Sequence, residues 1–395
     1  MKNKKSCVLI VENLPLPFDR RVWQEANALK GDGWQVSAIC PKTDKCPEGY
    51  IEIDGIHIYR HHLPVEASGK MGFILEYSAA LFHEFRLLIY VYFKHGFQVI
   101  QGCNPPDLIF IPAMFFKLFG KKYVFDHHDI CPELFAVKFG KKGALHKALL
   151  FFEKLSYRWS NAVITANDTF RDLCVERTGV STDKVTAVYS VPDKKNIHRV
   201  EARTDLHQGK KLLIGYIGII GNQDGVDHMV EALAKLKERG LDDFSAVIIG
   251  DGPDLDKIKA LAKDLNVADH ITFTGYLTGE DLLKTLSAID IGVIPDPFNE
   301  YNDKISMNKV FEYSKLGIPI VSYPLTETKR LLKDALEVSP SLEADGLSEA
   351  IAKLFDDTHR KTMGYKALKV SEESFLWEHE KEKYVSVFNG LISKS

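Results

Sequence analysis

Nothing in this 395-residue chain reads as a metal-binding module or a disulfide framework. Its six cysteines (Cys7, Cys40, Cys46, Cys103, Cys131, Cys174) are scattered, with no C-x-x-C pair and no cluster of cysteine with histidine. That spacing argues against structural zinc and for free, mostly buried thiols in a reducing cytoplasm. Long apolar runs are missing as well. The most aromatic stretch, GFILEYSAALFHEFRLLIYVYFK (72–94), is interrupted by Glu76, His83, Glu84 and Arg86, whereas a spanning helix needs ~20 predominantly apolar residues. It is expected as a buried helix or as one docked at a membrane surface. The opening MKNKKSCVLIVENL has too short an apolar run, and no small-residue cleavage site, for a signal peptide, so it is expected to form the first buried strand. No internal repeat or low-complexity tract is present.

A strong excess of one charge is also absent, but the formal net charge of −3 conceals an asymmetry. Residues 1–195 hold 26 Lys and Arg against 21 Asp and Glu, and the remainder 25 against 33. Residues 117–158 alone carry nine basic and four acidic side chains, the whole amino-terminal excess. Lys121, Lys122, Lys141, Lys142 and Lys147 stand there among Phe115, Phe116, Phe119, Phe139, Phe151 and Phe152, the composition of an interfacial segment. A basic patch wants an anionic partner. An anionic membrane surface is the expected one, and no nucleic acid is.

What the chain does have is alternation. CVLIV (7–11), QVSAI (35–39), IHIY (56–59), FQVIQ (97–101), KYVF (122–125) and AVIT (162–165) are short apolar runs separated by helical stretches. After Lys211 a second series follows: LLIGYI, SAVIIG, ITFTG, IDIGVI and IPIVSY. Such runs fit parallel sheets covered on both faces by helices. The expected architecture is therefore α/β, with two doubly wound, Rossmann-like domains facing a cleft. Their expected bounds are 1–195 and 196–375, with a carboxy-terminal helix, 376–395, packing back on the first. The polar stretch 191–210 reads as the linker. In open α/β sheets ligands bind outside the carboxyl ends of the strands, which is where each motif below falls.

The stretch NDKISMNKVFEYSKLGIPIVSYPLTETKR (302–330) organises the second domain. Ser306 suits a helix N-cap, and the free N–H groups of that first turn favour an anion. Gly317 and Pro319 end the helix, and IPIVSY continues as a strand. Glu312 lies one turn beyond Lys309 and almost two beyond Ser306, so cation, carboxylate and helix end can face one ligand. A diphosphate beside a ribose diol fits that arrangement.

NKVFEYSKLGIPIVSY resembles the nucleotide-binding helix and strand of family 4 glycosyltransferases, which have the GT-B fold. The likeness extends through LPLPFDRRVWQEANAL, FDHHDICPELF and FTGYL, so it covers nearly the whole chain. It implies retaining, metal-independent transfer of a sugar from a nucleotide diphosphate, with a UDP-sugar favoured and a GDP-sugar possible. The implied acceptor is a glycan or polyprenyl-linked glycan in polysaccharide assembly. No cofactor and no metal are implied. Glu312 would grip the donor ribose, Lys309 would meet the diphosphate, and His128 would reach the donor sugar as a neutral imidazole, His127 being structural. Gly218, Gly221, Asn222, Gly252, Tyr276, Asp303, Ser306, Met307 and Asn308 would line the donor site. Asn13, Arg20, Arg21 and Asp129 would face the acceptor, the arginines holding an acceptor phosphate.

The chain departs from the family in three places. No glycine stands between Val11 and Lys30, where a glycine-rich loop is usual. Gln223 and Asp224 replace the basic residue that follows the Gly218–Gly221 loop, which shifts electrostatic duty to Lys309 and the Ser306 helix end. Lys304 stands eight positions before Glu312, where a first glutamate is common, so a carboxylate is expected from a shifted loop holding Asp296, Glu300 and Asp303. That last departure keeps two alternatives open: a GT-B sugar-nucleotide epimerase and a non-catalytic partner subunit.

Overall fold

The computed structural model describes residues 5–62, 69–140, 142–193 and 195–393, with side chains left aside for 69–77. Lys141 of the basic window lies outside the described residues. The chain divides into two compact units, Met1–Ser190 with Glu378–Ser395, and Val191–Trp377.

The first unit holds strands β1 (Ser6–Ile10), β2 (Gln35–Pro41), β3 (Gly49–Ile53), β4 (Ile56–His61), β5 (Val99–Cys103), β6 (Lys122–His127), β7 (Ala162–Thr165) and β8 (Val185–Ala187). Its helices are α1 (Arg20–Gly31), α2 (Gly69–Lys94), α3 (Phe110–Lys117), α4 (Cys131–Phe139), α5 (Ala144–Trp159) and α6 (Asp168–Thr178). The sheet order is β3-β4-β2-β1-β5-β6-β7-β8, all parallel except β3, which pairs antiparallel with β4 at the edge. Strands β1 and β5 are buried along their whole length, as continuous apolar runs covered on both faces must be. One core cluster joins Val8, Ile10, Leu88, Val91, Phe97, Phe110, Phe116 and Tyr123 between the sheet and the inner faces of α2 and α3. Asp19 caps α1 by accepting from the Val22 N–H.

The second unit holds β9 (Leu212–Ile217), β10 (Phe244–Ile249), β11 (Ile271–Gly275), β12 (Ile291–Ile294), β13 (Ile320–Ser322) and β14 (Leu336–Val338) in the order β11-β10-β9-β12-β13-β14, every pairing parallel. Helices α7 (Val226–Glu238), α8 (Leu255–Asp264), α9 (Gly279–Ser287), α10 (Asn308–Lys315), α11 (Thr326–Leu332), α12 (Ala344–Lys353) and α13 (Asp357–Ser374) connect them. The last helix, α14 (Trp377–Ser393), returns to the first unit. There Phe388 sits edge-on to Trp34 at 5.6 Å, and the Tyr384 hydroxyl donates to Gln101 Oε1 at 2.6 Å.

Three strands escape the apolar-run reading for separate reasons. β8 and β14 are only three residues long, and β3 is a mostly exposed edge hairpin arm. The stretch 191–210 is also more than a linker. Arg199 donates to the carbonyls of Leu316 and Ser287, and the Val200 N–H donates to Ser287 Oγ, so it is strapped to the second unit by polar bonds that leave no apolar periodicity.

Candidate active site

Both sheets reverse strand order beside a central strand, between β1 and β5 and between β9 and β12. The carboxyl ends there are where open α/β sheets bind ligands. In the second unit, the loops after β9 and β12 are knitted together. Gly225 holds φ +66°, and a side chain on it would strike the Pro295 carbonyl. Asn302 Nδ2 donates to the carbonyls of Gln223 and Pro297, both at 2.9 Å.

Lys309 is buried at the centre of this edge, its Nζ 2.6 Å from Asp296 Oδ2 and 4.7 Å from the ring centre of Tyr216. Burial raises the Asp296 pKa even though Lys309 opposes it. Of the carboxylates near that loop, Asp296 is the one paired with Lys309, and Lys304 donates to the Glu300 carbonyl. Lys309, expected to meet the donor diphosphate, also has a buried anion of its own.

Two further expectations change. Ser306 is not the helix cap, because α10 begins at Asn308 with Met307 at the N-cap position and no side chain capping its first turn. Ser306 Oγ instead donates to buried Glu327 at 2.8 Å. Asp303 accepts from the Thr326 N–H at 2.7 Å, so it organises the start of α11. The glycines serve the protein's own packing before any ligand. A side chain at Gly218 would meet the Tyr216 hydroxyl at 2.6 Å, and one at Gly221 would meet Asp224 at 2.9 Å. One at Gly252 would run into the Ile220 backbone. Asn222, Tyr276 and Asn308 are exposed at the same edge, Met307 is buried, and Glu312 is 5% exposed within α10. A depression of about 440 Å³ between Lys210, Asp243 and Phe355 lies instead at the amino ends of β9 and β10, away from these residues.

In the first unit the turn after β6 is fixed from β5. Asn104 Oδ1 accepts the N–H groups of His128 (2.9 Å) and Asp129 (3.0 Å). His127 points into the core against Tyr157 (2.9 Å), and burial pushes its pKa down to about 3, which makes it the structural partner. His128 Nδ1 lies 3.3 Å from Asp126 Oδ2. Burial opposes its charge, but the hydrogen bond to Asp126 and that carboxylate's charge outweigh it and raise the pKa. The ring expected to be neutral thus has its charged form favoured by Asp126.

Arg21 is likewise not available to an acceptor phosphate. Its guanidinium donates to Asp126 (2.9 and 3.3 Å), the Val188 carbonyl (2.8 Å) and Ser190 Oγ (3.0 Å), and its Nε lies 3.1 Å from Glu25. Gln101 donates to Glu25 (2.7 Å) and Asp126 (3.3 Å), and Tyr384 on α14 completes the network. Asn13 and Arg20 are exposed, and Asp129 is half-buried. Asn104, Gln101 and Glu25 were not among the expected site residues; for the first two, a polar residue inside or just after the buried strand β5 was the available signal. Cys103, Asp126 and His128 offer ligand atoms within 4.8 Å of one another. They fit a metal poorly, since Arg21 already occupies the cation position at Asp126 and burial keeps the Cys103 thiol protonated.

Glu25 and Asp126 share one guanidinium, and burial together with the charge of Asp126 pushes the Glu25 pKa up to about 8. Its unfolded value is roughly 4.3. A raised folded value means stability that is present at low pH and lost as pH climbs through that interval. Glu25→Gln is expected to flatten the fall in melting temperature over that range. A slope parallel to wild type in pH-resolved thermal unfolding would remove Glu25 from this account.

Residues 19–190 match the glycosyl transferase 4-like domain and residues 199–370 match glycosyl transferases group 1. A GDP-mannose-dependent alpha-(1-6)-phosphatidylinositol monomannoside mannosyltransferase of Mycobacterium tuberculosis is 30% identical over 167 residues, 41% of this chain and 43% of that one. The chain spans about half the length of the curated relatives it matches. Sucrose-phosphate synthase from Thermosynechococcus elongatus superposes with a TM-score of 0.82 at 17% identity, covering 99% and 100% of the two chains. The Anabaena protein HepE, solved with UDP and glucose, gives 0.70 at 13% identity, covering 98% and 100%. With two parallel α/β units of GT-B type and both family domains matched in order along it, the chain belongs to the GT4-type glycosyltransferases.

Proposed function

We propose that the protein transfers a sugar, with retention and without a metal, from a nucleotide diphosphate to a glycan or polyprenyl-linked glycan in surface polysaccharide synthesis. A UDP-sugar is the favoured donor and a GDP-sugar the second. The observation that carries this reading is α10. Its first turn has no side-chain cap, and Lys309 and Glu312 both lie buried at the carboxyl edge beside the β9–β12 reversal. An uncapped helix start favours an anion. A sugar-nucleotide donor loses its diphosphate through an oxocarbenium-like state, so negative charge builds on the leaving group. N–H groups and an ammonium already fixed there stabilise that charge without reorganising. UDP as the favoured base carrier draws on HepE, and GDP on the mannosyltransferase.

The test is thermal unfolding with UDP, GDP and ADP in turn. A ligand at ~100 times its Kd adds about 2.7 kcal/mol, so the true base is expected to stand out as a raised melting temperature. No shift with any of the three would overturn the reading. Release of free nucleotide that requires a glycan acceptor, undiminished by a chelator, is expected of transfer. An epimeric sugar nucleotide formed without acceptor would favour the epimerase.

A further inference from the structure

Helix α2 is apolar nearly all round, yet the protein covers only one side of it. Leu88 and Val91 face the core, while Phe82 (67% exposed), Ile89 and Phe93 (83% exposed) repeat along its outer side. α3 continues that surface. Phe115 sits 5.3 Å from both Phe85 of α2 and Phe119, and Ile111, Leu118 and Phe119 are exposed beside it. α5 extends it again: the Lys117 amine donates to the Trp159 carbonyl, and Phe151 and Trp159 are exposed. A contiguous apolar face of this breadth marks a surface that something covers.

Charge identifies the cover. Between Ser78 and Trp159 the sequence has eleven lysines and arginines and six carboxylates. Five of those carboxylates (Glu84, Asp107, Asp126, Glu133, Glu153) are buried and Asp129 is half-buried, so none is exposed. Arg86, Lys94, Lys142, Lys147, Lys154 and Arg158 are exposed. Lys94 lies 4.5 Å over the Tyr50 ring and Lys121 lies 5.0 Å over Tyr92, so cations and aromatic rings share the same ground. Glu48 and Glu52 are exposed at the β3 edge, where Glu52 accepts from the Tyr50 hydroxyl at 3.1 Å.

We infer that the outer face of α2, α3 and α5 docks on an anionic phospholipid bilayer, its aromatic side chains entering the headgroup boundary and its cations pairing with lipid phosphates. Among the described residues no helix is long and apolar enough to cross a membrane, so this contact lies on the bilayer. It stands independently of the transfer chemistry.

The structure also shifts where such a contact sits. Of the phenylalanines in the 117–158 window and its flank, Phe116 is buried, and the largest exposures lie on α2 and the α3 end. The full chain should float with vesicles of phosphatidylcholine and phosphatidylglycerol, should not float with phosphatidylcholine alone, and should be released by high salt. Changing Arg86→Glu with Lys121→Glu should weaken partitioning at least ~25-fold, since each cation near an anionic surface is worth about fivefold. Phe93→Ser with Phe119→Ser replaces side chains that are largely in solvent, so the fold is expected to survive and flotation to be lost. Trp159 is the exposed tryptophan, and its emission should shift to the blue with anionic vesicles, a shift absent in Trp159→Phe. Equal behaviour with the two vesicle types, or flotation kept in both double variants, overturns the inference. So does a dimer in solution that Phe93→Ser with Phe119→Ser dissociates, which would make the face an interface between two copies. Turnover on a soluble acceptor reports separately on the transferase reading.

Discussion

Lys309→Ala is expected to lower the stability of the second unit by about 3–5 kcal/mol, the cost of stranding one partner of a buried ion pair. Lys309 and Asp296 are 8% and 4% exposed at the side chain, so water does little to replace the lost ammonium. The deficit should depend on pH in a definite sense. Burial already raises the Asp296 pKa with Lys309 in place, and removing the opposing charge raises it further. A folded value above the unfolded ~3.9 gives stability that is present at low pH and lost as pH rises. The variant should therefore come nearest to wild type in acid and fall behind as pH rises. Adding Asp296→Asn should remove that slope. Lys309→Met with Asp296→Leu should recover much of the stability, because an apolar pair of similar volume often replaces a buried ion pair without loss. It should not recover turnover. Denaturation of the four proteins across pH checks this, and a Lys309→Ala variant as stable as wild type at neutral pH would sink it.

The same pair explains why part of the site was hidden in the sequence. Apolar runs such as SCVLI, LLIGYI and FSAVII are signals of burial, and they mark the strands because a parallel sheet covered on both faces requires them. Gly317, expected to end α10, does sit at φ +61° just beyond it. Polar partnerships carry no such period. Nothing in local spacing says that Arg21 closes on Asp126, 105 residues away, or that Tyr384 reaches Gln101 across 283. Ser306 shows the opposite failure. Its type and position suit an N-cap, but buried Glu327 needs a donor, and α10 starts two residues later. A long-range demand overrode a local preference.

Those long-range bonds also bear on how His128 would act. Its Nδ1 faces Asp126, which Arg21 and Gln101 hold in turn, and Asn104 fixes the backbone of the turn. The ring is therefore oriented by residues on β5, β6 and α1. With Nδ1 turned to Asp126, a protonated ring would present Nε2 as a donor to a sugar hydroxyl.

Glu312→Gln is expected to weaken binding of the nucleotide diphosphate roughly 10- to 150-fold, the ~1.5–3 kcal/mol typical of hydrogen bonds to a charged group. The residue is set between two anchors. Phe311 packs edge-on against Phe375 at 4.9 Å, and the Tyr313 hydroxyl donates to the Gly215 carbonyl at 3.1 Å. With the turn locked on both sides, a side chain of the same length should leave α10 in place and the melting temperature of the unliganded protein close to wild type. The proposed contact is to the ribose hydroxyls, so the loss should depend on them. Wild type should bind UDP more tightly than 2′-deoxy-UDP, and Glu312→Gln should narrow that gap, because a neutral amide gains less from the hydroxyl than a carboxylate does. Calorimetry with both nucleotides on both proteins closes the cycle. Unchanged UDP affinity in a folded variant, or an undiminished preference for UDP over 2′-deoxy-UDP, would show that Glu312 does not hold the ribose.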